Sequence, residues 1–480
     1  MNLSRTLKIT AVAASLAFVT ACTAPAESST ASASAASDTV QVGAATVGDT
    51  PEVWDASELH EFSITYDQDD YDAMIATYLD TGDKEWISAD VTIDGEAYEN
   101  VGLKLKGNSS LRGVTEEDAA SPEDLPWIIN LDKFVDGQDH DGAEEFVIRS
   151  NTSETALNEA VALDLLDQTG LAAEEAIAAA VSMNGSEETL RLVVENPNTD
   201  WMERELGDGY MWKAESGGTW DYVGEDEADY VDSFDQEGGE DNYAPLIDFL
   251  DFINNADDAT FEADLSQWLD VDAFATYLAY QQVVNNFDDI DGPGNNAYLY
   301  WDIEDEQMTV VNWDLNLAFG ATNGDQMGGG DQMGGGAGGP ATGEAQGGLD
   351  GAERPVPGER APGGGAADGD MPGGEAPGGD MPGGEAPGGG MPGGEAPGGG
   401  MQGAGTQGSN ILAERFRAVD EYAAQIDAEV ERLQAELFDS GLADASLDAW
   451  SALLTGDAGN LIDAAVVDTE AAALREEFPA

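Results

Sequence analysis

Residues 285–320 read NNFDDIDGPGNNAYLYWDIEDEQMTVVNWDLNLAFG, and the rest of the chain is arranged around them. Asn, Asp, Gly and Pro mark an acidic loop from Asp288 to Asn296. Tyr, Leu, Trp and Val then mark two strands, Ala297–Asp302 and Met308–Asn312, joined by a charged turn over 303–307. Such a hairpin carries polar groups at its two ends and apolar side chains between them. Folded this way, it brings Asp288, Asp289 or Asp291, with Asn296, close to Asp314. Hard oxygen donors gathered like this suit Mg²⁺ beside a phosphate.

Protein kinases use the same logic. There a loop Asp accepts the substrate proton, a following Asn binds metal, and a second Asp beyond a short hairpin holds the ion that bridges the phosphates. Asp291-Gly-Pro-Gly-Asn295-Asn296 reproduces the D-x-x-x-x-N spacing, a pattern that also arises by chance in so acidic a chain. An EF-hand calcium loop does not fit. With Gly292 at its sixth position, positions one and twelve fall on Phe287 and Tyr298, which offer no carboxylate. A solvated acidic loop beside a buried hairpin, and a calcium site of another type, remain open on residue types alone.

Further motifs stand in order around this stretch. VGLKLKGNSSLR (Val101–Arg112), ALNEAVALDLLDQTGL and GYMWKAE precede NNFDDIDGPGNNAYLYW and VVNWDLNLAFG. Together they resemble the spore-coat protein H (CotH) kinase-like family, from about Glu61 to Gly320 and again after Ser409. The resemblance implies an α+β chain with an atypical protein-kinase-like fold and a helical C-terminal tail. It implies an atypical kinase that uses ATP with Mg²⁺ or Mn²⁺ to phosphorylate a protein hydroxyl, the acceptor being unknown. Asp288 (by its place in N-x-D) or Asp291 (by its spacing to Asn296) would orient or deprotonate the acceptor. Asn296 and Asp314 would hold the metal.

The phosphate-facing cation is open. Lys106 with Gly107, Asn108 and Ser109 forms a turn whose backbone N–H groups suit phosphate oxygens. Lys133 and Lys213 are alternatives, because the lysines that many family members carry just before the strand expected at Trp127–Phe134 are replaced here by Glu123-Asp124-Leu125-Pro126. Glu159 lies off the apolar stripe of its helix, either solvated or, by resemblance, offered to the phosphate cation. A non-catalytic envelope-binding lipoprotein and an ATP-dependent transferase of another group are the rival readings.

The N-terminus has Arg5 and Lys8, an apolar run Ile9–Val19, and Val19-Thr20-Ala21-Cys22. The run is too short to span a bilayer and fits a signal peptide over 1–21. The Cys resembles the lipidated residue of a bacterial lipobox. Cys22 is the only cysteine, so an intrachain disulfide is impossible. A secreted lipoprotein on the outer face of the cell membrane is expected, held by lipid alone, with 22–50 as a flexible tether. The 97 Asp and Glu outweigh 17 Lys and Arg for a net charge of −80. That charge argues against a nucleic-acid partner and suits a high-salt setting. His60 and His140 form no zinc or Ser-His-Asp pattern.

Alternation and apolar spacing predict a strand at Leu59–Tyr66, a helix at Tyr71–Leu79 and a hairpin of Trp86–Ile93 with Tyr98–Lys106. Strands follow at Trp127–Phe134 and Phe146–Arg149, with capping-box chemistry at Asn151–Glu154 before the next helix. Ala176–Met183 and Thr189–Glu195 form a second hairpin, and Tyr210–Glu215 another strand. Helices are expected at Leu246–Ile253 and Asp272–Val284. The kinase-like domain is thus 51–320. Residues 321–409 are dominated by Gly with Pro, Glu and Met, including a ten-residue repeat over Met371–Gly400. That composition cannot form a core and reads as a disordered insert. The domain resumes over 410–480, beginning with one amphipathic helix, Asn410–Leu437.

Overall fold

The computed structural model describes residues 50–292, 295–321 and 410–479. The signal segment, Cys22, the tether and the Gly-rich repeat lie outside the described residues.

Strands β1 (Leu59–Tyr66), β2 (Ile87–Ile93), β3 (Glu96–Leu105), β4 (Trp127–Asn130), β5 (Glu145–Ile148), β6 (Ala176–Met183) and β7 (Thr189–Val194) form a closed barrel in the order β1-β2-β3-β4-β5-β7-β6. All neighbours are antiparallel except β1 and β6, which close the barrel in parallel from Leu59↔Ala178 to Ile64↔Met183. β1 alternates buried and exposed residues, as expected of a strand with one face in water. β6, AIAAAVSM, is buried on both faces. Its inward Ile177, Ala179 and Val181 join Phe62, Leu103 and Phe146 in the barrel core. Its outward Ala176 and Ala178 meet the helices, and alanine lets those helices come close.

Helix α1 (Gln68–Thr81) starts where the Asp67 carboxylate accepts from the Asp69 N–H, and it stops at Gly82 with φ 83°. Helix α2 (Leu157–Asp167) is almost wholly buried. The capping box expected at Asn151–Glu154 does not start it. Instead Ala156 adopts φ 53°, Thr155 Oγ1 accepts from the Leu157 N–H at 3.2 Å, and Glu470 from the C-terminal region accepts from Thr155 N at 3.1 Å. Strand β4 ends four residues short of the expected Phe134, because its partner β5 is itself only four residues long and the chain turns at Asn130. Lys133 therefore stands on a turn.

After α3 (Thr199–Glu205), strands β8 (Gly209–Ala214), β9 (Phe234–Gly238), β10 (Ala297–Asp302) and β11 (Gln307–Asn312) form a second sheet, ordered β11-β10-β8-β9. Helices α4 (Ala244–Asn255), α5 (Asp258–Asp264) and α6 (Val271–Val283) lie between β9 and β10 in sequence. The C-terminal part is α7 (Ile411–Ala418), α8 (Asp420–Leu433), α9 (Leu442–Gly456) and α10 (Ala464–Glu476). The single helix expected over 410–437 is broken at Val419 (φ −88°, ψ 118°) and passes into a wider π turn at Gln434–Asp439. The break lets α7 and α8 both reach α6. Phe416 packs on Phe274 with centroids 4.9 Å apart and stacks on Tyr422 at 4.5 Å. The chain is thus α+β with a helical C-terminal region. Its second core joins α2, α6 and the tail helices.

Candidate active site

The β10–β11 hairpin forms as its sequence demands, in register from Ala297↔Asn312 to Asp302↔Gln307. Its polar ends meet. Asn296 Nδ2 donates to the Asp288 carbonyl at 2.8 Å and to its carboxylate at 3.1 Å. The Asp288 carboxyl is held above its usual range, first by burial and then by the charge of Asp314, with the Asn296 bond opposing. Asp288, Asn296 and Asp314 therefore share one place. Asp314 sits in the left-handed region, φ 63°, and opens the 3₁₀ turn Leu315–Gly320. Aspartate tolerates this region better than most side chains.

The other loop residues are used differently. Asp291 pairs with Arg417 of α7, at 2.8 Å to Nε and 2.6 Å to Nη2. Asp289 is buried and accepts from the Gly292 N–H at 2.9 Å. Burial, with Asp291 beside it, raises its carboxyl to about 6. Asn295 donates to the Glu215 carbonyl at 2.6 Å and accepts from the Trp220 indole at 2.7 Å, tying the loop to the end of β8.

Behind the loop runs a chain of buried amides that sequence reading missed. Asn312 at the end of β11 accepts from Gln281 of α6 at 2.5 Å. Gln281 accepts from Asn286 at 2.8 Å, and Asn286 accepts from the Asp288 N–H at 3.3 Å. Three elements are fixed to one another by it. Nothing local marks these residues, since isolated Asn and Gln are ordinary in polar loops and helix surfaces.

A cleft beside Asp314 is lined by Lys106 and Gly107, by Arg149, by Glu159 of α2, and by Asn316. The 106–110 turn needs glycine at its bend. Gly107 has φ 98°, and a Cβ there would run into Ser110 Oγ. Lys84 donates to the Gly107 carbonyl at 2.6 Å, and the Asn108 amide donates to Ser216 beyond β8. The backbone of Ser109 opens the short 3₁₀ turn Ser109–Leu111. Lys106 Nζ donates to Asn196 at 2.7 Å and lies 5.6 Å from the Trp313 ring centre. Burial lowers its pKa to about 8, against the pull of Glu237 and Glu145. Lys213 pairs with Glu215 at 2.8 Å. Lys133 and Lys104 face the Trp86 ring at 5.0 and 4.5 Å.

Glu159 is not solvated. It is buried and receives Arg149, at 3.1 Å from Nε and 2.8 Å from Nη2, and Arg149 Nη2 also reaches the Asp314 carboxylate. The two carboxylates outweigh the burial of Arg149 and raise its pKa further, while burial raises that of Glu159 against the attraction of Arg149. Among the described residues, then, Glu159 holds an arginine rather than Lys106, Lys133 or Lys213.

Charge is unevenly spread. Of the chain's six lysines, Lys84, Lys104, Lys106, Lys133 and Lys213 lie close enough to disturb one another's charges. They are interleaved with Glu145, Glu215, Asp235 and Glu237, and of the five Lys106 lines the cleft. Among the described residues no group of three His, Cys, Asp or Glu is gathered to hold a metal. Two carboxylates with one amide oxygen nonetheless suit Mg²⁺, which takes one or two carboxylates and completes its shell with water and substrate phosphate.

An acidic pair flanking an Asn, a glycine turn with lysines, and a helix carboxylate holding a cation form a site suited to phosphoryl chemistry. The chain matches the family described as CotH kinase protein over residues 103–347, and it belongs to that family. The inner spore coat protein H of Bacillus subtilis (strain 168) is 25% identical to it over 204 residues, 39% of this chain and 53% of that protein. The chain thus spans about half the length of the curated relative it matches.

Proposed function

We propose that this chain is an atypical protein kinase, with the kinase-like fold its family membership suggests, which transfers the γ-phosphoryl group of ATP to a protein hydroxyl. The observation that carries this reading is the meeting of Asp288, Asn296 and Asp314 beside the cleft of Lys106, Arg149 and Glu159. Asp288 is the favoured base, since Asp291 is engaged with Arg417. Asp288 accepts the proton of the acceptor hydroxyl as its oxygen attacks the γ-phosphorus. The bond from that phosphorus to the bridging oxygen breaks, and ADP leaves with the electron pair. Asn296 and Asp314 would hold the divalent ion, Mg²⁺ or Mn²⁺, which neutralises charge on the phosphates when bound. The raised pKa of Asp288 suits a group that must gain a proton.

We also propose that the protein is secreted and held at the outer face of the cell membrane by lipid on Cys22, supported by the Val19–Cys22 sequence. The test of the activity is intact mass with nucleotide products, on the full chain with ATP and Mg²⁺ or Mn²⁺, beside Asp314→Ala. A gain of about 80 Da per event, the mass of one phosphoryl group, with ADP released and both lost in the variant, is expected. AMP or pyrophosphate as product would point to transfer of another group. No product and no nucleotide-dependent thermal shift would leave an envelope-binding protein.

A further inference from the structure

Arg149 follows β5, and both of its backbone polar groups are engaged. Its N–H donates to the Leu192 carbonyl at 2.9 Å. Its own carbonyl accepts from Arg191 Nε at 2.9 Å, and Arg191 is itself buried and bonded to the Glu123 and Leu125 carbonyls. The backbone is therefore fixed on both sides, and the side chain projects from a rigid strand end. The guanidinium lies 5.9 Å from the Trp313 ring centre and bonds Glu159 and Asp314 through Nε and Nη2. Among the described residues Nη1, with its two N–H groups, has no partner, and Arg149 lines a cleft also lined by the Gly107 turn and Lys106. Nη1 offers phosphate oxygens two N–H donors on a group that stays charged at any working pH.

The lysines are committed elsewhere. Lys106 is bonded to Asn196, Lys213 to Glu215 and Lys84 to the Gly107 carbonyl, while Lys104 and Lys133 sit against Trp86.

We infer that Arg149 is the side chain that binds the transferred phosphates, with Glu159 as the positioning residue that aims it. This rests on the reading of the cleft as a phosphoryl-transfer site. A lysine would make one point contact there. The arginine keeps Nε and Nη2 on Glu159 and Asp314, and Nη1 meets the nucleotide.

The test is direct titration of the full chain with ATP and with ADP, in Mg²⁺, alongside the mass assay. The proteins are wild type, Arg149→Lys, the charge-balanced pair Arg149→Met with Glu159→Gln, and Lys106→Met. Melting temperatures check the fold. The pair variant should melt cooperatively and lose about 10- to 100-fold in nucleotide affinity, the worth of hydrogen bonds to a charged group. Arg149→Lys should recover part of that loss, and Lys106→Met should lose less affinity than the pair variant.

A readout on wild type alone comes from pH. Lys106, faced by Glu237, Lys213, Glu145 and Lys104, loses its proton near pH 8. A nucleotide held by lysine would therefore weaken as pH rises through that value, whereas one held by arginine should bind evenly from about pH 7.5 to about 9.5. A folded pair variant with unchanged affinity, or a loss of binding confined to Lys106→Met and to pH above about 8, would overturn the assignment while leaving the kinase reading intact. Wild type that binds neither nucleotide overturns both.

Discussion

Asp314 lies close enough to Asp288 for its charge to disfavour that of Asp288. Asp288→Asn removes the proposed base and the repulsion together. It should cut transfer by about 10²- to 10⁴-fold, the usual contribution of general-base help, with an equal or higher melting temperature. Asp291→Asn should instead lower the melting temperature, since it breaks the bond to Arg417, and should keep measurable transfer. A second residue-scale prediction concerns Glu174, whose Oε1 is buried without a partner among the described residues. Burial raises its carboxyl from 4.5 to about 8. The folded pKa lies above the unfolded one, so the stability it contributes is fully present below about pH 4.5 and lost as pH rises through about 8. Glu174→Gln should therefore raise the melting temperature at pH 8–9 and change it little near pH 4.5, as calorimetry across pH would show. At this scale the acidic residues and Asn296 were legible in sequence, because a hairpin joins them locally. Arg149 was not, because Asp314, which it joins to Glu159, lies 165 residues away.

The elements around the loop act as a frame. Gln281 of α6 joins Asn312 of β11 to Asn286. Gln281→Leu should leave those amides unsatisfied and cost about 1–3 kcal/mol, with a fall in transfer because Asp288 hangs from Asn286. Denaturant titration and the mass assay together measure both effects. The tail is equally involved. Arg417 of α7 holds Asp291, and Arg415 donates to the Ile253 and Ala256 carbonyls. Arg417→Ala should weaken transfer without touching any proposed metal donor. The hairpins and α1, α4 and α6 were readable from alternation and 3.6-residue spacing. The break at Val419 and the short β4 were not, since packing on α6 and the length of β5 decide them.

At the scale of the molecule, charge dominates. With a net charge of −80, self-repulsion opposes compaction, and salt screens it over a length that falls from ~10 Å at 0.1 M to ~3 Å at 1 M. The melting temperature should rise steadily as NaCl goes from about 0.1 to about 1 M, and a flat or falling curve would contradict this. The sequence alone was enough for the α+β class and the family resemblance, and it named Asp288 or Asp291, with Asn296 and Asp314, as candidates. Apolar period, turn chemistry and a local hairpin are properties of neighbouring residues. Tertiary structure alone decided that β1 and β6 close a barrel, that Lys106 and Arg149 line one cleft, that Asp291 pairs with Arg417 of α7, and that Arg149 reaches Asp314. Each of these joins residues far apart in the chain. Their proximity comes from buried surfaces fitting together, which no local pattern records.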